Sequence, residues 1–180
     1  NDSKNMKLGV YECQISIQSN DPKNKKVCIN LLFEVIPNTS TVILQIGNKI
    51  AYIEKESGDS NTRVNLDVAP CISNGRTLVP LRFISDVSGA KIDYIIQQDN
   101  EIRIWYKETY VRLWLQRKSY RDYDALVQIS DGEPEKVSLD TPPTIIKGRT
   151  MMPLRFIANT FGATIDWDGK TQTIYLELEI

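Results

Sequence analysis

Gly75-Arg76-Thr77-Leu78-Val79-Pro80-Leu81-Arg82-Phe83-Ile84 returns 73 residues later as Gly148-Arg149-Thr150-Met151-Met152-Pro153-Leu154-Arg155-Phe156-Ile157. Carried on to Asp93 and Asp166, the two copies agree at 12 of 19 positions, where unrelated segments agree at roughly one. The chain therefore contains an internal repeat. Each copy opens on a pair, Asn74-Gly75 or Lys147-Gly148, suited to the positive φ of a tight turn, and continues into a short extended run. Pro80 and Pro153 suit the first helical position, because proline presets φ and lacks an N–H that would be unpaired there. At about 100° per residue, Leu81, Phe83, Ile84 and Val87 share one side of the helix that follows, and Arg82, Ser85 and Asp86 the other. The second copy keeps the phase with Leu154, Phe156, Ile157 and Phe161 against Arg155, Ala158 and Asn159. Gly89 and Gly162 end the two helices, since glycine enters the left-handed region cheaply. Alternating pairs follow, Ile92/Tyr94 and Ile165/Trp167, then a turn, then Ile102/Ile104/Tyr106 and Ile174/Leu176/Leu178 at strand period. Each copy reads as strand, helix, hairpin.

The pattern NGRT-x-VP-LRFI, a helix ended by Gly-Ala, and a hairpin around Trp167-Asp168-x-Lys170 resembles the copper amine oxidase N-terminal-domain-like family, the stalk module, over about residues 40 to 180. The resemblance implies two tandem arms, each a small antiparallel sheet with one helix on a face. It also implies a noncatalytic accessory module of secreted or cell-surface proteins of Gram-positive bacteria. The copper chemistry behind the family's name belongs to a different domain of the true oxidases.

Around this repeat the chain divides at a breaker cluster, Pro37-Asn38-Thr39-Ser40. Residues 1–38 read as a β-hairpin: Tyr11, Cys13, Ile15 and Ile17 alternate outward, and Val27, Ile29, Leu31, Phe33 and Val35 alternate back. Two strands cannot cover their own apolar face. The hairpin resembles the last two strands of immunoglobulin-like β-sandwich modules of the choice-of-anchor or spindle-like type. It is the remnant of such a domain, an extension docked on the first half, or a strand donor to another chain. Residues 39–180 form the repeat domain, with halves 39–107 and 108–180. Within the first, Val42/Leu44/Ile46, Ile50/Tyr52 and Val64/Leu66/Val68 read as strands. Glu54–Arg63 and Arg117–Asp124 read as polar loops. The connector Lys107-Glu108-Thr109 is too short to hinge freely. The expected fold is α+β: two repeated units of small antiparallel sheet, each with one short helix and packed on itself, preceded by a β-hairpin.

Composition excludes more than it selects. Lys and Arg number 22 against 23 Asp and Glu, a net charge of −1, so no basic field exists to hold nucleic acid. No run of some 18 apolar residues suggests a membrane span, and no signal peptide is visible. The three cysteines, Cys13, Cys28 and Cys71, match no zinc spacing. With a turn near Pro22, paired residues sum to about 44, so Cys13 and Cys28 are not opposed and free thiols are expected. The chain has no histidine, which removes a Ser-His-Asp triad, a Cys-His pair and histidine-ligated copper or zinc. No cofactor is implied.

The repeated polar residues invite a chemical reading, and a structural one fits them better. Asp93 and Asp166 are expected at surface or turn contacts, and Arg76, Arg82, Arg149 and Arg155 on a solvated face or in carboxylate clamps. Asp166-Trp167-Asp168-Gly169-Lys170 lacks the further ligands of a calcium loop and reads as a hairpin turn. Tyr94, Tyr106 and Trp167 alternate as core. Trp105 and Trp114 fall out of that phase, so they either cement the junction of the halves or form an exposed platform for sugar rings. The expected role is a noncatalytic spacer or attachment module accessory to a larger exported protein, a hydrolase. The alternative is a carbohydrate or cell-wall binding module using Trp105 and Trp114. Other domains of the parent protein and cell-wall polysaccharide are the expected partners. Open strand edges, at Val42 to Ile46 or in the N-terminal hairpin, are where two copies could pair.

Overall fold

The computed structural model describes residues 9–18, 20, 23, 26–35, 38–55, 61–95, 100–115 and 123–179. Most of the hairpin turn near Pro22, and residues 56–60 and 116–122 of the two polar loops, lie outside the described residues. The chain divides between Pro37 and Asn38 into two units. In the first, β1 (Gly9–Gln18) pairs antiparallel with β2 (Lys26–Val35). Ile15 faces Ile29 and Cys13 faces Leu31, the register expected from the sequence. Cys28 faces Ser16, so side-chain alternation puts the two cysteines on opposite faces of the ribbon. Tyr11 stacks on Phe33 at 5.6 Å, and Ile15, Ile17, Val27, Ile29, Leu31 and Phe33 are exposed.

The second unit runs through the same eight elements twice. The first pass is β3 (Thr39–Gln45), β4 (Ile50–Lys55), β5 (Thr62–Asn65), β6 (Cys71–Ser73), β7 (Arg76–Pro80), α1 (Leu81–Ser88), β8 (Lys91–Ile95) and β9 (Glu101–Tyr106). The second is β10 (Thr109–Trp114), β11 (Ala125–Ile129), β12 (Glu135–Val137), β13 (Thr144–Ile146), β14 (Arg149–Pro153), α2 (Leu154–Phe161), β15 (Thr164–Asp168) and β16 (Thr173–Glu179). At Asn74-Gly75 and Lys147-Gly148 φ is positive at both residues, the geometry of a two-residue hairpin turn. Gly89 and Gly162 cap their helices in the left-handed region, φ 74° and 63°. Pro80 and Pro153 are strand ends and not first helical residues. Each pairs across the central sheet, Pro80 with Met151 and Pro153 with Leu78, which requires the extended ψ of 116° and 123°.

The pairing departs from two self-packed arms. One five-stranded sheet has the order β15-β16-β3-β4-β5, the other β12-β11-β10-β9-β8, and a four-stranded central sheet has the order β13-β14-β7-β6. Each half gives three strands to one outer sheet, two to the other, and half of the centre. The reason is the connector. Lys107-Glu108 is a two-residue turn, which between antiparallel strands closes a hairpin, so β10 pairs with β9 across the boundary between halves. The same exchange at the chain's other end pairs β16 with β3. At the centre Val79 faces Met152, its own repeat equivalent, so a local two-fold passes between them. The strand Val42 to Ile46, expected to offer an open edge, is flanked along β3 by β16 and β4.

One core serves both halves: Val42, Leu44, Ile174 and Leu176 from one sheet, Ile102, Ile104, Val111 and Leu113 from the other, with Leu81, Ile84, Leu154 and Ile157 from the helices. Burying each such side chain is worth roughly 1.5–3 kcal/mol, so neither half retains its core without the other. Ser85, expected on the wet face, is buried and donates its hydroxyl to the carbonyl of Leu81. Among the described residues no helix is long and apolar enough to cross a membrane.

Candidate functional site

The duplicated arginines of the GRT turn act across the local two-fold. Arg76 donates through Nε and Nη2 to Asp140 Oδ2 at 2.9 and 2.6 Å, and Arg149 donates through Nε to Asp67 Oδ2 at 2.5 Å. Asp67 and Asp140 are themselves 73 apart, in Asp67-Val68-Ala69-Pro70 and Asp140-Thr141-Pro142-Pro143. A D-x-x-P recurring at the repeat offset is the signal that would have found them. The hydrogen bond and charge of Arg149 hold the Asp67 carboxyl below the usual carboxylate range. Both pairs are exposed. They fulfil the carboxylate-clamp expectation for Arg76 and Arg149, each tying one half to the other.

Arg82 and Arg155 lie exposed on their helices, without an ion pair or hydrogen bond among the described residues. Beside each runs a groove built from both copies. The groove at Arg82 has a volume of about 470 Å³ and is lined by Asp86, Tyr94, Arg149 and Thr150 among others. Its two-fold counterpart is two adjoining hollows of about 170 and 420 Å³ that share Arg76, Pro153 and Arg155. Tyr94 and Trp167, expected in the core, stand at these grooves 38% and 42% exposed. They lie on β8 and β15, the outermost strands of their sheets, where no further strand covers the flank. Phe83 and Phe156 are in the core, as is Tyr106, which packs on Phe161 at 4.7 Å.

Asp93 is exposed on β8 opposite Arg103, and Asp166 is exposed on β15 with Oδ1 accepting the N–H of Trp167 at 2.8 Å. Asp168 spends its oxygens within the turn, on the Lys170 N–H at 2.9 Å and the Thr171 hydroxyl at 2.7 Å. Those bonds, the hydroxyl's first, lower its pKa. Among the described residues no three His, Cys, Asp or Glu gather closely enough to hold a metal ion. With no histidine in the chain, these residues do not fit copper.

The outer face of the second five-stranded sheet holds an arrangement the sequence reading missed. Glu101 is 2% exposed and accepts hydrogen bonds from Arg103 Nε at 2.6 Å and from Arg112 Nε and Nη2, both at 2.9 Å. The hydrogen bond from Arg112 lowers the Glu101 pKa; burial opposes it, and the bond from Arg103 adds to it. Both arginines are correspondingly raised, first by their bonds to Glu101. The β9–β10 register sets Arg103 opposite Arg112 and Trp105 opposite Tyr110. That register follows from the two-residue turn alone, so the Glu101-x-Arg103 alternation was the available signal. Trp105 is 40% exposed and stacks on Tyr110 at 5.3 Å. Trp114, the other platform candidate, is only 5% exposed: Tyr123 packs edge-on against it at 5.7 Å and Arg112 lies over its ring at 5.4 Å. It cements the sheet.

Comparison with known families matches the copper amine oxidase N-terminal domain to residues 18–104 and again to residues 60–176. No curated protein and no solved structure gave a match.

Proposed function

Because this chain belongs to the copper amine oxidase N-terminal domain family, a domain that is noncatalytic in the oxidases, we propose that it works as a rigid spacer or attachment module of a secreted or cell-surface protein, accessory to a larger hydrolase. The observation behind this reading is the interleaving. Three sheets exchange strands between halves, one core serves both, and reciprocal Arg–Asp pairs span the central sheet. Such a body transmits position without an internal hinge. The test is replacement: in the exported protein, residues 38–180 are exchanged for an unrelated rigid domain of similar length. Retained surface display and unchanged turnover are expected; loss of display with an equally long substitute refutes a spacer.

The Trp105–Tyr110 stack favours a second reading, binding of wall polysaccharide on the outer face of the sheet. The exposed Trp105, stacked on a half-buried Tyr110 beside Arg103 and Arg112, offers ring stacking and hydrogen-bond donors together. Trp105→Ala is expected to cut retention on insoluble wall glycan by about tenfold with the fold intact. Equal retention by the variant removes this reading.

A further inference from the structure

The two grooves related by the local two-fold share a frame and differ in charge. In the groove at α1, Arg82 has Asp86 one helical turn on, and Asp67 and Glu101 join the lining. In the groove at α2 the residue one turn after Arg155 is Asn159, and among the described residues the only carboxylate in the lining is Asp140, already bonded to Arg76. Arg155 makes no ion pair of its own among the described residues. Beside it Trp167 presents an indole where the other groove has Tyr94, with the exposed side chains of Ile72 and Ile165 forming an apolar rim. The turn at Gly169 lies against the Nε1 edge of the indole, where an added Cβ would stand 3.4 Å away.

We propose that the groove between α2 and β15 binds a saccharide bearing a carboxylate, a uronic acid unit. The indole takes the C–H face of the sugar ring. The guanidinium of Arg155 takes the carboxylate in a bidentate pair. Asn159 offers an amide to a ring hydroxyl. An acidic peptide would satisfy Arg155 and leave the flat face of Trp167 without a ring to receive. The site is separate from the Trp105 stack on the other sheet, and stands whether or not the chain is also a spacer.

The full 180-residue chain, labelled with ¹⁵N, has three tryptophans whose indole N–H signals report on different places. Titration with a galacturonic acid trisaccharide is expected to move the Trp167 signal and leave those of Trp105 and Trp114 in place, which also shows that the fold is intact. Arg155→Gln and Trp167→Ala are each expected to weaken binding by about tenfold or more, read in Trp167→Ala from backbone amides of β15. Arg82→Gln is expected to leave it unchanged. Neutral galactotriose should bind at least about tenfold more weakly. No shift at millimolar trisaccharide, equal binding of the neutral sugar, equal binding of a tetraglutamate peptide, or a shift at Trp105 instead of Trp167 each overturns the proposal. The last of these would speak for the platform on the other sheet.

Discussion

The two five-stranded sheets match strand for strand under the local two-fold, yet they are closed differently and loaded differently. In one, β9 and β10 are joined by the two-residue turn at Lys107-Glu108 and share six residue pairs. In the other, the equivalent strands β16 and β3 come from opposite ends of the repeat domain. A ladder of seven pairs, Thr173 with Gln45 through Glu179 with Thr39, joins them without a covalent turn. The outer faces diverge as well. Glu101, Arg103, Trp105 and Arg112 occupy the places taken by Thr173, Tyr175, Glu177 and Ile43. The inner faces stay the same, with Ile104 against Val111 and Leu176 against Val42. Burial is what the fold demands of both sheets; connectivity and outer chemistry are free to vary.

The hardest way to break this comparison is to damage the two inner faces at equivalent points. Ile104 and Leu176 are both buried, and truncating either to alanine should cost about 2–5 kcal/mol, the cavity adding to the lost transfer energy. The rates should separate them. Closing β9 on β10 fixes a two-residue loop, whereas closing β16 on β3 brings together segments more than a hundred residues apart, so the hairpin pairing forms earlier. Ile104→Ala is expected mainly to slow refolding, and Leu176→Ala mainly to speed unfolding. Chevron plots of the two variants decide it. The same partition in both would mean that the covalent turn confers no kinetic priority.

Periodicity told which residues face inward but not which strand lies beside which. The glycine-capped C-terminal ends of the helices, the paired turns and the alternation of both passes were legible, because glycine and period-two patterning act locally; proline, which suits a strand end as well as a first helical turn, placed the helix starts one residue early. The exchange of strands was not, although the short connector at Lys107-Glu108 held the clue: two residues allow only a hairpin. Tyr94 and Trp167 misled because alternation with Ile92 and Ile165 marks a face, and does not reveal that β8 and β15 are sheet margins with an uncovered flank. For Trp114 the sequence left two readings open, and burial decides for the cementing one over the platform. Its outward phase is real, but Tyr123 and Arg112, remote or on a neighbouring row, cover it. Asp67 and Asp140 were hidden because upstream of Gly75 and Gly148 the repeat thins to a sparse pattern around D-x-x-P.

The outer faces give a smaller and more selective test. Arg112→Leu leaves the buried Glu101 carboxylate with Arg103 as its remaining hydrogen-bond donor among the described residues. We expect a loss of about 2 kcal/mol, below the 3–5 of a fully buried pair because the Arg112 side chain is 38% exposed. The folded pKa of Glu101 lies below its unfolded value, so its stabilisation is complete above about pH 4.3 and fades as pH falls through the folded value. Removing Arg112 raises that folded value and moves the acid-unfolding midpoint to higher pH. Copying the other sheet, with Glu101→Thr, Arg103→Tyr and Arg112→Ile together, should recover stability to within about 1 kcal/mol of the parent, since apolar replacements of a buried ionic group are often neutral. Urea midpoints of the single and triple variants check both. A triple variant as unstable as Arg112→Leu would mean that the two outer faces are not interchangeable.

The smallest effect belongs to what the two sheets have in common, the crossed pairs at the central sheet. Asp67 and Arg149 are both well exposed, so solvent screens their attraction and side-chain ordering offsets much of what remains. Asp67→Asn should lower the urea midpoint near pH 7 by an amount barely above its resolution, and Asp140→Asn should do the same by symmetry. The pH dependence gives the sharper reading. Arg149 lowers the pKa of Asp67, so the folded state holds fewer protons on this group than the unfolded chain. Its contribution is present above about pH 3.9 and disappears as pH falls through the lower folded value. Parent and Asp67→Asn midpoints are therefore expected to differ slightly at neutral pH and to converge in acid, and likewise to converge at about 1 M salt. A difference that persists in acid and high salt would assign Asp67 a packing role that its exposure does not suggest, and would make the two crossings inequivalent despite their shared geometry.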